Sequence, residues 1–219
     1  GVAISRAGGE GRQISVRGLG PDFTRVRING MEAQSTSGGT DQIGGANRGR
    51  GFDFNTFSSD LFSELTVRKT ASANVEEGSL GATVDLRTAR PFDYDGLTFA
   101  ANLQAGYNDL SEEVDPKASF LVSNIFADGK FGALFSLAMS ERNIIDEGAS
   151  TVRWDNVNDF GSYRGSADAP ELQAINDGFR PRLPRYDSYT HNVKRTGAAA
   201  AFEFRPTAET RFNLDVLYS

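Results

Sequence analysis

The stretch ISVRGLGPDFTRVRINGM, residues 14–31, places two short alternating segments on either side of a Gly-Pro-Asp turn. Apolar and polar side chains alternate in both segments, as in β-strands that turn one face toward a core. The second segment ends in Asn29-Gly30, a common turn dipeptide because both residues tolerate positive φ. These features predict a small mixed sheet. Its apolar face would carry Ile14, Val16, Val26 and Ile28, and its basic face Arg17, Arg25 and Arg27.

Composition restricts the class of protein. The chain has 219 residues, a formal net charge of -6 and no cysteine. The acidic balance argues against a nucleic-acid partner, since affinity for phosphate backbones comes largely from Lys and Arg. The lack of cysteine removes disulfide frameworks, cysteine nucleophiles and Cys-based zinc sites. No apolar stretch approaches the roughly 20 residues of a membrane-spanning helix, which leaves open a barrel whose strands give only a weak alternating signal.

Short strands separated by glycine-rich loops are predicted before Gly96. The strand candidates are residues 13–19, 24–29, 65–70 and 82–88. One helix is predicted around residues 58–64, where Ser58 or Ser59 offers a hydroxyl for the exposed amides of the first turn.

Longer strands with period two are predicted after Gly96, in residues 98–107, 131–140 and 211–218, and less regularly in 117–126 and 196–204. Each of the regular strands has one apolar face and one small or polar face. The apolar face is predicted to meet lipid and carries Phe99, Leu103, Phe135, Leu137, Phe212, Leu214 and Val216. The other is predicted to line a wet lumen and carries Asn102, Gln104, Ser136, Asn213 and Asp215.

The connections between these strands alternate between short and long. Residues 127–130 (ADGK) and 205–210 (RPTAET) make short turns, whereas residues 109–115 and 143–189 make longer loops. In an antiparallel meander this puts the short turns on one edge and the long loops on the other, as in outer-membrane barrels. A soluble β-sandwich also alternates. Strand lengths near those of tilted membrane strands and the polar second face favour the barrel.

Two stretches resemble the plug domain of TonB-dependent outer-membrane receptors. They are ISVRGLGPDFTRVRINGM and, at residues 62–93, FSELTVRKTASANVEEGSLGATVDLRTARPFD. The strands after Gly96 resemble the start of the barrel of these receptors. The region from NRGRGFDFNTF at residues 47–57 to TARPFDY at 88–94 is most similar to a long subfamily often associated with carbohydrate uptake. Arg27 departs from the family pattern, because related plugs usually carry an aliphatic residue there.

The resemblance implies a mixed fold, in which a small α+β plug domain is followed by antiparallel β-hairpins of an incomplete transmembrane β-barrel. Residues 1–96 would be an N-terminally truncated plug. Residues 97–219 would form about five strands at the start of the barrel, with a long extracellular loop at 143–189. Receptors of this family close about 22 strands around the plug. We therefore expect the sequence to be an excerpt without a signal peptide, the TonB-contacting segment or most of the barrel.

The function implied is active uptake of a polar nutrient, a carbohydrate in the subfamily, across the bacterial outer membrane. The partners would be the TonB energy-transducing complex, an extracellular ligand and outer-membrane lipid. A siderophore or metal-chelate receptor, a soluble β-rich binding module and a passive barrel stay open as alternatives. We expect no enzyme, cofactor or metal site, because His191 has no second histidine or cysteine beside it and no GxSxG or GxxxxGK motif occurs.

Two sets of site residues follow from the resemblance. Contacts between plug and barrel are expected from the donors Arg17, Arg25, Arg27 and Arg68 to the lumen carboxylates Glu203 and Asp215. Substrate binding is expected from Glu32, Gln34, Asn47, Arg48, Arg50, Phe52, Phe54 and Trp154. The alternatives are that the arginines are solvated, that the phenylalanines pack beneath the loop, and that Trp154 with Phe160, Tyr163, Tyr186 and Tyr189 forms a loop core or an aromatic girdle.

Overall fold

The computed structural model describes residues 1–7, 10–33, 51–70, 72–73, 75–156 and 170–219. These residues form a two-stranded, a four-stranded and a five-stranded sheet. The chain divides into two compact units, one of residues 1–144 with 191–219 and one of residues 145–190. No helix in the described part of the chain is long and apolar enough to cross a membrane.

The two-stranded sheet is an antiparallel hairpin of β1 (Val2–Ala7) and β2 (Glu10–Val16). The strand predicted over residues 13–19 therefore begins earlier and ends at Val16. It ends there because Arg17 and Gly18 adopt positive φ angles of 58° and 78°, which interrupt an extended strand. The two alternating segments around the Gly-Pro-Asp turn consequently lie in different sheets.

The four-stranded sheet is mixed, as predicted, but the strand predicted at residues 13–19 does not belong to it. It contains β3 (Thr24–Ile28), β4 (Met31–Glu32), β5 (Phe62–Arg68) and β6 (Ala82–Thr88), in the order β4-β3-β6-β5. Strands β3 and β6 are parallel, and the other two pairs are antiparallel. Its apolar face holds the buried cluster Val26, Phe52, Val84 and Leu86.

The helix predicted over residues 58–64 is wrong. A 3-10 turn, Ser59–Leu61, occupies the first part, Ser58 makes no side-chain cap, and β5 begins at Phe62. The antiparallel pairing of β5 with β6 satisfies the backbone groups that a helix would have paired internally, so tertiary context overrides the local signal. Further 3-10 turns lie at Pro21–Phe23, Phe54–Thr56 and Pro91–Asp93.

The five-stranded sheet is an antiparallel meander in the order β11-β10-β9-β8-β7, and we call it the wall sheet. Its strands are β7 (Thr98–Asn108), β8 (Glu113–Phe126), β9 (Phe131–Asp155), β10 (Arg180–Phe204) and β11 (Phe212–Tyr218). The loop predicted at 143–189 is shorter, because β9 and β10 both continue into it. Strand pairing satisfies backbone groups without apolar alternation, so these polar extensions carried no sequence signal. A helix, α1 (Pro170–Asp177), lies between them in the chain.

Over β9 and β10 the wall sheet has one covered and one exposed face, whereas β7 is exposed on both faces. Along β9, Leu134, Ser136 and Ala138 are buried, whereas Phe135 and Met139 are exposed. Strand β10 repeats this with Ala199, Ala201 and Glu203 buried and Phe202 and Phe204 exposed. This division follows the predicted parity, and the covered face lies against residues that precede Gly96. Contact of the exposed face with lipid stays a prediction.

Candidate functional site

The contacts between the described residues before Gly96 and the covered face of the wall sheet form the candidate site, and we call them the interface. It lies entirely within the unit of residues 1–144 and 191–219. Sequence reasoning expected four arginines of the N-terminal part to reach carboxylates of the wall sheet here.

Two of those arginines bind a carboxylate of their own sheet. Arg27 Nε donates to Asp85 Oδ1 at 2.6 Å, and Arg68 Nε donates to Asp85 Oδ2 at 3.0 Å. Arg27 and Asp85 are directly paired in the parallel register of β3 and β6. Hydrogen bonding from Arg27 is the main cause that holds the pKa of Asp85 below its ordinary value; partial burial opposes it and Arg68 adds to it. The unusual Arg27 is therefore matched by an acid on the neighbouring strand.

Arg25 is also satisfied within the N-terminal part. It pairs with Glu32 at 2.8 Å and Glu76 at 3.0 Å, and donates to the carbonyl of Glu77 at 2.7 Å. The hydrogen bond to Glu76, followed by that to Glu32, raises the pKa of Arg25 above its ordinary value. Arg17 is exposed. In the described part of the chain, none of the four arginines has an ion pair with the wall sheet, so that expectation is corrected.

The interface instead carries acids on the N-terminal side and cations on the wall sheet. Glu10, at 8% exposure, has Arg142 Nη1 at 3.0 Å and Arg195 Nη2 at 3.5 Å. Arg195 also donates to Asn55 Oδ1 at 2.6 Å. Lys117 lies 3.0 Å from Asp60. These three charge pairs have the opposite sign to the prediction.

The two predicted wall carboxylates have different roles. Asp215 does accept from an N-terminal arginine, but the donor is Arg90 at 3.1 Å. Glu203 is 2% exposed and pairs with Arg205 at 2.7 Å and Arg211 at 3.0 Å, both of them on the wall side. Asp215 therefore belongs to the interface directly, whereas Glu203 acts through its neighbours.

The apolar part of the interface is small. Leu61 packs with Ala138, Ala199 and Leu217, and Ala89 packs with Leu134 and Ala201 in a second cluster that includes Tyr94 and Leu121. The wall contributes three alanines and three leucines to these two clusters. A Cβ at Gly197 would lie 2.7 Å from Leu61 Cδ1, so the glycine leaves the space that Leu61 occupies.

A polar cavity of about 610 Å³ borders the cluster around Glu10. Its lining includes Gln104, Asp115, Lys117, Ser140, Glu141 and Arg142. Water or a polar ligand suits such a lining because acceptors and donors alternate around it. Across the described ranges, no three His, Asp or Glu side chains converge to hold a metal ion.

The predicted substrate residues are not brought together. Gln34, Asn47, Arg48 and Arg50 lie outside the described residues. Glu32 is exposed and pairs with Arg25. Phe52 is 5% exposed in the sheet core, and Phe54 makes an edge-to-face contact with it at 5.0 Å. Packing thus leaves Phe52 no face for a ligand, which corrects its predicted role.

Trp154 belongs to the unit of residues 145–190. Its ring is 51% exposed and stacks on Phe179 at 5.9 Å, and its indole Nε1 donates to Thr151 at 2.7 Å. Tyr186 in the same unit is 91% exposed. Phe160 and Tyr163 lie outside the described residues. Trp154 and Phe179 therefore form an exposed stacking pair.

Sequence reasoning missed most of the interface residues, although strand parity contained part of the signal. Lys117 pairs with the polar-face residue Gln104 in the register of β7 and β8. Arg142 shares the parity of Ser136, and Arg195 shares that of Glu203. Extending the polar face along each strand would have found these cations. Glu10, Asp60 and Arg90 carried no comparable signal, because they lie at a strand start or in turns.

The N-terminal part is similar to a known family. Residues 1–83 match the family described as the TonB-dependent Receptor Plug Domain. A similar solved structure is the FrpB iron transporter from Neisseria meningitidis (F5-1 variant), with 16% identity, a TM-score of 0.40, and coverage of 98% of this chain and 35% of that one. The chain thus spans about a third of the length of that transporter. No curated protein matches the chain.

Proposed function

Because residues 1–83 match the TonB-dependent Receptor Plug Domain family, we propose that this chain supplies the plug and adjoining wall of an outer-membrane receptor that imports a polar nutrient. In this proposal the wall sheet is part of a barrel whose exposed face meets outer-membrane lipid. The plug closes the lumen at rest, and TonB rearranges it when a ligand is bound. The boundary between plug and barrel lies at Gly96.

The observation that carries the proposal is the polar character of the interface. Its main contacts are the charge pairs of Glu10, Asp60 and Asp215 with cations on the other side. The pairs of Asp60 and Asp215 keep partial access to water, and such ion pairs contribute about 0–1 kcal/mol each, whereas Glu10 is buried. When such pairs separate, water replaces the partner, so the loss is small. An interface of this kind positions a plug and still allows it to move.

The apolar contacts are too few to prevent such movement. Leu61 is the one large buried side chain in the described cluster with Ala138, Ala199 and the partly buried Leu217, and Leu134 is the one in the second described cluster. Burial of one leucine contributes about 2 kcal/mol. The plug's own core is separate and larger, with four buried residues and seven partly buried ones around them. The plug can therefore shift against the wall while its own sheet stays intact.

A carbohydrate is the ligand that we propose, on the resemblance to the carbohydrate-associated subfamily. The segment of residues 32–54 offers Glu32, Gln34, Asn47, Arg48 and Arg50 as hydrogen-bonding groups. The exposed rings of Trp154 and Phe179 offer apolar faces on which a sugar ring can stack. Hydrogen-bonding groups and exposed aromatic faces are each features that suit an oligosaccharide.

The test uses the complete receptor in cells with and without TonB. We expect uptake of a labelled oligosaccharide only in cells that contain TonB. The triple variant Asn47→Ala, Arg48→Ala, Arg50→Ala should bind the sugar at least several-fold more weakly, while its barrel assembles normally. Lys69→Ala, which removes an exposed cation of the same domain, is the matched control. Uptake without TonB would contradict the transport mechanism, and uptake of a ferric chelate alone would replace the sugar as substrate.

A further inference from the structure

The turn that leaves the plug, Pro91–Asp93, fits a notch in the wall sheet that only glycine allows. A Cβ at Gly132 would lie 2.6 Å from Pro91 Cβ and 2.9 Å from Phe92 Cε2. Separations below 3.0 Å essentially never occur for a real Cβ. Pro91 is buried and its ring is rigid, so it cannot move aside as the end of a flexible side chain would. The shape of the wall at Gly132 is therefore matched to this turn.

An arginine of the wall closes the notch from the other side. The Arg205 guanidinium carbon lies 3.8 Å from the centre of the Phe92 ring, a cation–π contact. Arg205 is held by the buried carboxylate of Glu203 at 2.7 Å. Its backbone amide donates to the Lys130 carbonyl at 2.7 Å, which joins the two short turns of the wall. Glu203 thus positions Arg205 on the ring.

The remaining contacts of this segment spread over the other wall strands. Ser123 Oγ on β8 donates to the Pro91 carbonyl at 3.5 Å, and Arg90 reaches Asp215 on β11. Tyr94 packs against the cluster that contains Leu134 of β9 and Ala201 of β10. Residues 90–94 therefore contact four adjacent strands. The ion pair of Asp60, in contrast, reaches one wall strand, β8, and those of Glu10 reach two, β9 and β10.

We propose that the Pro91–Asp93 turn is the seat of the plug: Phe92 in the Gly132 notch, capped by Arg205, fixes the plug in the position that seals the pore. Glu203 is a positioning residue for this seat. The seat acts before any ligand or TonB is present, since all of its contacts lie within this chain. The proposal rests on the proposed function in one respect, namely that the plug closes a pore.

The test measures the passive seal of the complete receptor in cells without TonB. Phe92→Ala empties the notch without adding atoms, and Gly132→Ala fills it. Both variants should admit vancomycin, a large hydrophilic antibiotic, several-fold more readily than the wild type. Phe92→Tyr keeps the ring and should stay sealed. Glu203→Gln should leak less than Phe92→Ala, because Arg205 loses its tether while the ring stays in place.

The matched control is Gly106→Ala, whose Cβ meets only Asp115 atoms at 3.8 Å. Heat-modifiable migration in gels reports whether each barrel has folded. If Gly132→Ala prevents folding, Phe92→Ala still decides the question. If a folded Phe92→Ala receptor excludes vancomycin as well as the wild type does, the proposal that this turn seats the plug is overturned. A receptor with the plug deleted serves as the reference: if it also excludes vancomycin, the plug is not the seal and the proposed function itself fails.

Discussion

Arg27 and Asp85 face each other across the parallel strands β3 and β6, with Arg27 Nε 2.6 Å from Asp85 Oδ1. The pair stands on the face of the sheet opposite the cluster of Val26 and Val84, which alternation places on the other side. One strand pair thus combines an apolar core contact with a charged contact. Arg68 on β5, the neighbour of β6 on the side opposite β3, also donates to Asp85.

Acid should weaken the plug through Asp85. Its pKa is lowered from an ordinary value of 3.8, mainly by Arg27, so the pair contributes stability in full above that pH. The contribution is lost as the pH falls through the lowered pKa. Asp85→Asn should cost about 2 kcal/mol at pH 7 and flatten the acid dependence, because Arg27 and Arg68 lose a charged acceptor.

Hydrogen exchange of β3 and β6 amides, compared between Asp85→Asn and wild type at each pH, measures this effect. Asp95→Asn, at an exposed position, is the control and should follow the wild type. If the amides of Asp85→Asn and wild type are equally protected from exchange at pH 7, the ion pairs of Asp85 with Arg27 and Arg68 contribute no stability.

Replacement of a second glycine of the wall, Gly197, by alanine should be destabilising. The added Cβ would lie 2.7 Å from Leu61 Cδ1, and Leu61 is 2% exposed. We expect Gly197→Ala to destabilise the docking of Leu61 by about 1–3 kcal/mol, as overpacking does. Exchange protection of the Ser59–Leu61 turn measures the change, with Gly106→Ala as a neutral control. Leu61→Ala in the same chain should recover part of the loss; no recovery would assign the defect to the strand backbone.

The two faces of the wall sheet should differ in their access to lipid. Phe135 is 43% exposed, whereas its neighbour Ser136 is 5% exposed on the covered face. In the complete receptor, a lipid-confined thiol probe should label Phe135→Cys and Phe212→Cys and spare Ser136→Cys. The chain contains no native cysteine, so labelling within it reports only the introduced thiol. Preferential labelling at residue 136 would reverse the assignment of the faces.

Local patterns predicted the strands in which apolar and polar side chains alternate regularly. Period-two alternation located β7 and β9, the bounds of β6 agree with the predicted 82–88, and Asn29-Gly30 has the positive φ angles expected of its turn, 50° and 86°. In each case the decisive physics is local: the pleat fixes side-chain parity, and glycine permits left-handed backbone.

Partner identity was not predictable from local patterns. Arg27 finds Asp85 because β3 pairs with β6, 58 residues away in sequence, and nothing near Arg27 specifies that register. The same holds for Glu10 and Arg142, which are 132 residues apart. Arginines on one face signalled ion pairs, but only the fold decided that the acids would come from the plug itself. The helix expected over residues 58–64 failed for a related reason, because the pairing of β5 with β6 is nonlocal.

The most direct test of the central claim, that the plug must move against the wall during import, is a cross-link between the two. Glu10 lies 3.0 Å from Arg142 across the interface. Glu10→Cys with Arg142→Cys, bridged by a short bismaleimide in the complete receptor, should abolish TonB-dependent uptake while ligand binding persists. Each single cysteine variant treated with the same reagent should still transport. Undiminished uptake by a fully cross-linked receptor would contradict the account.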